Sequence, residues 1–261
     1  SSATGGGGVS LRAGSLVDCV ISGNADMSPV GNAMGGGVAV YQPDAYPWLI
    51  SGCSIIENEA YDGGGLHINS ALPRAILDTH VDRNTSHRYG GGIYAASQLL
   101  FMGGSVNSNA SRSYYGAGIY AANLAVTNSS ISFNLLATPG ATGGGGVYVG
   151  GGDALFDGCD ISHNYACSLP TKRQQYGGGI FLNSSATSAE LTNVTIAENF
   201  AANSGGGIYS NNAIPVSLVH VTVAGNEAGT GTGGIDGDAA SFRLRSSIVA
   251  ANTAPANPDC D

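Results

Sequence analysis

Charge is what this chain has least of. Only 10% of its 261 residues are charged, and lysine occurs once, at Lys172. An average soluble domain carries about 25%. With a net charge of −9 there is no basic surface to neutralise a polyanion, so nucleic acid is excluded as an expected partner. No uninterrupted apolar run approaches the ~18 residues needed to cross a bilayer, so no membrane span is expected in this chain. Ser1 opens no charged and apolar leader, and both ends read as cuts through a longer polypeptide. Metal and cofactor signatures are missing as well. No Cys/His spacing suits zinc, no aspartate-rich loop suits calcium, and the glycine runs lead into no helical pattern that would make a phosphate cradle. No metal or cofactor is therefore expected. The cysteines, Cys19, Cys53, Cys159, Cys167 and Cys260, are odd in number, so at least one is free or pairs outside the chain.

What the chain has in excess is glycine, with 42 residues beside 43% hydrophobic content, enough apolar side chain to build a core. The glycines are ordered. A Gly-Gly-Gly-apolar block recurs at Gly6–Val9, Gly35–Val38, Gly63–Leu66, Gly90–Ile93, Gly116–Ile119, Gly144–Val147, Gly177–Ile180 and Gly205–Ile208, with a weaker copy at Thr232–Ile235. Between the blocks runs a second element, Ile or Val followed three residues later by asparagine. Those asparagines are Asn24, Asn58, Asn84, Asn109, Asn134, Asn164, Asn199, Asn226 and Asn252, at a mean period of 28.5 residues. Eight positions before each asparagine the residue is always apolar, from Leu16 to Leu244. Six before it stand turn formers such as Asp18, Gly52 and Asp78. Period-two alternation broken by turn residues predicts short strands.

Repeats of this length without a helix can bury their apolar faces only by stacking on one another, each pairing in parallel with the next at ~4.8 Å. Like positions then become internal columns. The asparagines are expected to form a structural ladder, and the glycine triplets to be corners needing φ > 0. Longer stretches after Asn24, Asn134 and Asn164, and an insertion over Tyr41–Trp48, are expected to protrude.

These two elements resemble the right-handed parallel β-helix repeats of the pectin-lyase-like superfamily, in particular those of polymorphic outer-membrane and adhesin-type proteins. Ile or Val stands where that repeat has Phe, and Gly-Gly-Gly where it has Gly-Gly-Ala. The resemblance implies an all-β solenoid of about nine coils, one domain over residues 1–261 and a segment of a longer solenoid. It also implies that an enzyme of this kind would hold polysaccharide along its outer face.

The residues for such chemistry concentrate on the third coil. Asp78, His80 and Asp82 alternate outward, followed by Arg83, His87 and Arg88, with Glu57 and Glu59 on the coil before. Together they could supply acid, base and a clamp for a uronate. Asp157, Asp160 and His163 form a thinner set. Neither the Asp-Asp and Gly-His-Gly of polygalacturonases nor the Arg-x-Pro-x-x-Arg of pectate lyases is present. A different surface follows from Tyr94, Tyr120, Tyr148, Phe181 and Tyr209, each just past a glycine block, with Tyr89, Tyr115 and Tyr176 just before one. Alternation turns the first five outward, which predicts an exposed aromatic stripe able to bind sugar rings or a partner, or to pack on itself. Asn128, Asn183 and Asn193 are acceptor sequons, whereas the sequons of Asn84 and Asn109 belong to the ladder and should be buried. Cys19 and Cys53 share an inward column on adjacent coils, within reach of a disulfide or of a reduced thiol ladder. Thr192, Thr195 and Thr222 are too few for an ice-binding face. The expected role is a non-enzymatic extracellular or cell-surface module acting as spacer, filament unit or adhesin. Its expected partners are copies or flanking segments of the same solenoid, or a polysaccharide or glycoprotein. A polysaccharide lyase or glycoside hydrolase, and a carbohydrate-binding module, are the alternatives.

Overall fold

The computed structural model describes residues 6–27, 34–42, 47–70, 75–137, 143–167, 175–237 and 240–260. The segments 28–33, 138–142 and 168–174, which contain most of the three longer stretches together with Lys172, lie outside the described residues, as do 43–46 of the Tyr41–Trp48 insertion. Every described element is a strand, and the strands wind into a parallel solenoid of about eight turns. Each coil contributes strands to a large sheet and one short strand to a second sheet of eight.

Three inward columns run in register through the stack. The residue after the glycine block pairs Val9, Val38, Leu66, Ile93, Ile119, Val147, Ile180, Ile208 and Ile235. The position eight before asparagine pairs Leu16 through Phe101 and Phe156 to Leu244. The position three before it pairs Ile21 through Val249. Phe101, Phe156, Ile50, Ile76 and Ile131 are fully buried, so the columns form one continuous apolar core. Burying a side chain of this size is worth about 1.5–3 kcal/mol, and stacking repeats is what makes the burial available.

The asparagine ladder occurs as expected. In each coil the backbone N–H and the Nδ2 both donate to the Oδ1 of the next coil's asparagine, as from Asn109 to Asn134 at 3.0 Å each. The Nδ2 also donates to a carbonyl of the coil before, Val81 in the case of Asn109. Asn58 through Asn226 are almost wholly buried, and a buried amide is tolerated when donors and acceptor are met in this way.

The glycine blocks differ from the expectation in one respect. Only the first glycine of a triplet turns left-handed, as Gly63 does at φ +60. The other two are needed for space. A Cβ on Gly64 would come within 2.5 Å of Gly91 O, and one on Gly65 within 2.8 Å of Asn84 Nδ2. The glycines thus let neighbouring coils and the ladder amides approach one another.

Cys19 and Cys53 lie on the same inward column, and both are free thiols. Cys19 donates to Val17 O, and Cys53 to the carbonyls of Leu16 and Ser51. The arrangement is a reduced pair. Burial raises the pKa of Cys53, which keeps it in the neutral form.

Candidate functional site

The strand Ala75–Asp82 carries Asp78 and His80 exposed and Asp82 half-buried, as alternation requires. The other three residues of the set do not join them. Chain direction changes at Arg83, which is left-handed at φ +57, and His87 and Arg88 lie on the separate strand Thr85–Tyr89 of the short sheet. Asp78 is itself a left-handed corner (φ 45) whose Oδ1 leans over Gly103 in the next coil. His80 Nδ1 meets Ser105 Oγ at 2.8 Å, and that hydroxyl donates to Asp82 Oδ1, which also accepts the Asn107 N–H. The basic side chains are taken up by the coil before. Arg83 pairs with Glu57 at 3.0 Å, His87 with Glu59 at 2.8 Å, and Arg88 with Asp62 through two nitrogens. The expected acid–base–clamp grouping is therefore two sets of coil-to-coil contacts on two faces. The thinner set does not converge either. His163 pairs with Glu198 and stacks on Phe133, while Asp160 accepts from Ser162.

The aromatic row corrects the reading of an exposed stripe. Register pairs Tyr94, Tyr120, Tyr148, Phe181 and Tyr209 in five successive coils, with His67 before them. Ring centroids follow at 4.9, 5.0, 5.2, 5.0 and 5.3 Å, all stacked. Tyr148, Phe181 and Tyr209 are 5%, 3% and 7% exposed, while Tyr94 and Tyr120 are half-buried. The strand does turn them outward, but the row before the glycine blocks covers them. Tyr115 lies 4.5 Å from Tyr148 and Tyr176 4.4 Å from Tyr209. Between these two coils the covering row has Gly143, because a Cβ there would strike Phe181 and the Tyr176 carbonyl. Stacked faces about 5 Å apart leave no room for a sugar ring between them. Burial raises the pKa values of Tyr94, Tyr120 and Tyr148, that of Tyr94 to about 12, with neighbouring phenols adding to the effect.

A polar cluster sits at the foot of this stack. Asp62 is 5% exposed and His67 3%. Burial pushes the Asp62 carboxyl up, and the Arg88 guanidinium offsets part of that. Burial, with Arg88 nearby, lowers His67 to about 4, so its imidazole is neutral at pH 7 and stacks on Tyr94 as an uncharged ring.

A family model described as the right-handed β-helix region matches residues 75–253. The chain belongs to that family. No curated protein and no solved structure matches it.

The outer face of this β-helix holds one feature that sequence reasoning missed. Leu155, Glu190, Ser217 and Arg243 pair outward in four successive coils. They line two shallow hollows of about 280 and 210 Å³ that share Ser188 and Glu190. Asp153 closes one side, its carboxylate held low by hydrogen bonds from the Thr187 and Ser188 hydroxyls. No motif marks these residues, because each stands nine positions before the ladder asparagine of its coil but the side chain there differs in kind from coil to coil. Among the described residues no cluster of His, Cys, Asp or Glu is arranged to hold a metal ion. Asn128 and Asn193 are exposed and Asn183 half-buried, whereas Asn84 and Asn109 are buried.

Proposed function

We propose that this β-helix is a non-enzymatic, rigid module of an extracellular or cell-surface protein, serving as spacer or adhesive segment. The observation that carries the reading is the fate of the charged side chains on the third coil. Each basic side chain that could clamp a substrate is tied to a carboxylate of the preceding coil, and His80 and Asp82 are joined through Ser105 of the next coil, with Asp82 also accepting from the Asn107 N–H. A catalytic set needs groups free to converge on one reacting atom. Sparse charge and a single lysine support an extracellular setting. Adhesion, if it involves a polysaccharide, is better served by the hollows around Glu190 and Arg243 than by the buried aromatic row.

The test is product size after incubation with a panel of acidic and neutral polysaccharides. Unchanged chain lengths are expected for both the parent and His80→Ala. Shortened chains from the parent, lost in His80→Ala, would instead establish a lyase or hydrolase on the third coil.

A further inference from the structure

On either side of each ladder asparagine stands a residue that the corner turns outward. In four successive coils these pairs are Phe133 and Leu135, His163 and Tyr165, Glu198 and Phe200, and Gly225 and Glu227. Phe133 is 55% exposed, Leu135 and Tyr165 are 42% exposed, and Phe200 is half-buried. Aromatic side chains offer about 150–250 Å² each, so on the order of 250 Å² of apolar surface faces water here. Coils of the same chain flank the patch on both sides, at Ala110 before Leu135 and Thr253 after Glu227.

Stability does not account for this patch. Phe133 occupies a left-handed corner at φ +58, where other coils place Gly23, Gly225 or Ser108. A bulky residue is strained there, and a ring so exposed recovers little of that cost through burial. His163 stacks on one face of the Phe133 ring at 4.7 Å and pairs with Glu198. On the other side the equivalent residue is Ser108, too short to cover the second face.

The charge beside the rings has one sign. Glu198 and Glu227 close the patch at one end, and neither meets an arginine or lysine among the described residues. On the same edge of earlier coils, Arg83 and Arg112 are committed to Glu57 and Glu59.

We propose that this patch docks an arginine-bearing segment of another protein, with a guanidinium on the exposed ring faces and within reach of the Glu198 and Glu227 carboxylates. A guanidinium is planar, binds an aromatic face and forks onto a carboxylate, so it satisfies both halves of the patch at once. An apolar side chain beside it fits Phe133 and Leu135. The net charge of −9 draws such a segment in. A neutral sugar would stack on the rings but has no charge to set against the two carboxylates. The patch shares no residue with the third-coil groups that carry the preceding reading, so the two stand or fall separately.

The experiment is isothermal titration calorimetry of the intact chain with a blocked hexapeptide alternating arginine and leucine, with its lysine–leucine counterpart, and with cellohexaose. The arginine peptide is expected to bind, the lysine peptide to bind about threefold less tightly, and the sugar not to bind. Phe133→Gly and Tyr165→Ser should each weaken the arginine peptide by about fivefold, and Glu198→Gln with Glu227→Gln by about tenfold. Asp157→Asn with Asp160→Asn removes two charges from another face and should change affinity by less than about twofold. Glycine relieves the left-handed strain at residue 133, so Phe133→Gly should keep its circular dichroism and thermal midpoint, which separates loss of binding from loss of fold. An intact chain that binds no arginine peptide, a folded Phe133→Gly chain that binds as the parent does, or equal affinity for the lysine peptide would each overturn the proposal. So would an equal loss in the Asp157 and Asp160 variant, or cellohexaose binding that disappears in Phe133→Gly and Tyr165→Ser.

Discussion

The asparagine ladder and the ion pairs around Arg88 both tie one coil to the next, yet the ladder runs from Asn24 to Asn252 while the ion pairs stop within three coils. The reason lies in the groups. A carboxamide carries donor and acceptor together, so the same residue can follow itself indefinitely in a column. A carboxylate or guanidinium must alternate with its opposite, and a column of like charges 5 Å apart repels itself. The stacked rings resemble the ladder in this respect, since an aromatic face accepts another of its kind. A chain poor in charge is what a long in-register stack requires.

Breaking the ladder should have the largest effect. Asn134→Ala removes the acceptor for two buried donors of Asn109 and the donor to Val106 O. At about 1–3 kcal/mol for each stranded group, a loss of roughly 4 kcal/mol is expected in urea unfolding. A loss below about 1 kcal/mol would show that the ladder is ornament to the apolar core.

Acid should come next, through His67. Its folded pKa of about 4 lies below the ordinary 6.5, so the unfolded chain takes up the proton first. The stabilisation is complete above pH 6.5 and is lost as pH falls toward 4, by about 3 kcal/mol in all. Asp62, with its raised pKa, works in the opposite direction and gives some back as it protonates. His67→Phe keeps a ring in the stack, so the stability difference between pH 7 and pH 4 should shrink in that variant. An unchanged acid limb would remove His67 as its cause.

The ion pairs themselves separate by burial. Arg88→Ala leaves the buried Asp62 carboxylate without its bidentate partner and should cost about 2 kcal/mol, most of which Asp62→Asn in the same chain should restore. Arg83→Ala breaks a pair whose two side chains are 54% and 60% exposed, so its effect on thermal unfolding should stay within about 0.5 kcal/mol. Equal losses at the two arginines would erase the distinction between them.

Much of the fold is legible one letter at a time. The columns of Leu16, Ile21 and Asn24 can be read off the chain because stacking brings each position onto its own copy. The site is less legible. Asp78, His80 and Asp82 share one strand as alternation predicts, but the chain turns at Arg83, and His87 and Arg88 lie past the Asn84 corner on another face. Tyr148 points outward as alternation demands and is buried all the same, because the row that covers it comes from the far side of the glycine block. Strand alternation reports direction, and exposure depends on neighbours that alternation does not describe.

The repeat alone therefore determined the solenoid, its inward columns, the buried asparagines and the poverty of charge, since all of these follow from a position meeting its own kind every coil. Tertiary structure decided the rest. It closed the aromatic row against solvent, made Arg88 and Asp62 a bidentate pair with the carboxylate buried, hollowed the face that Leu155, Glu190, Ser217 and Arg243 share, and brought the Asp259 carboxylate onto the Asn252 amide. Those contacts join side chains that are unlike in kind, several of them at the same place in the repeat, and only the folded backbone shows how each is oriented and what covers it.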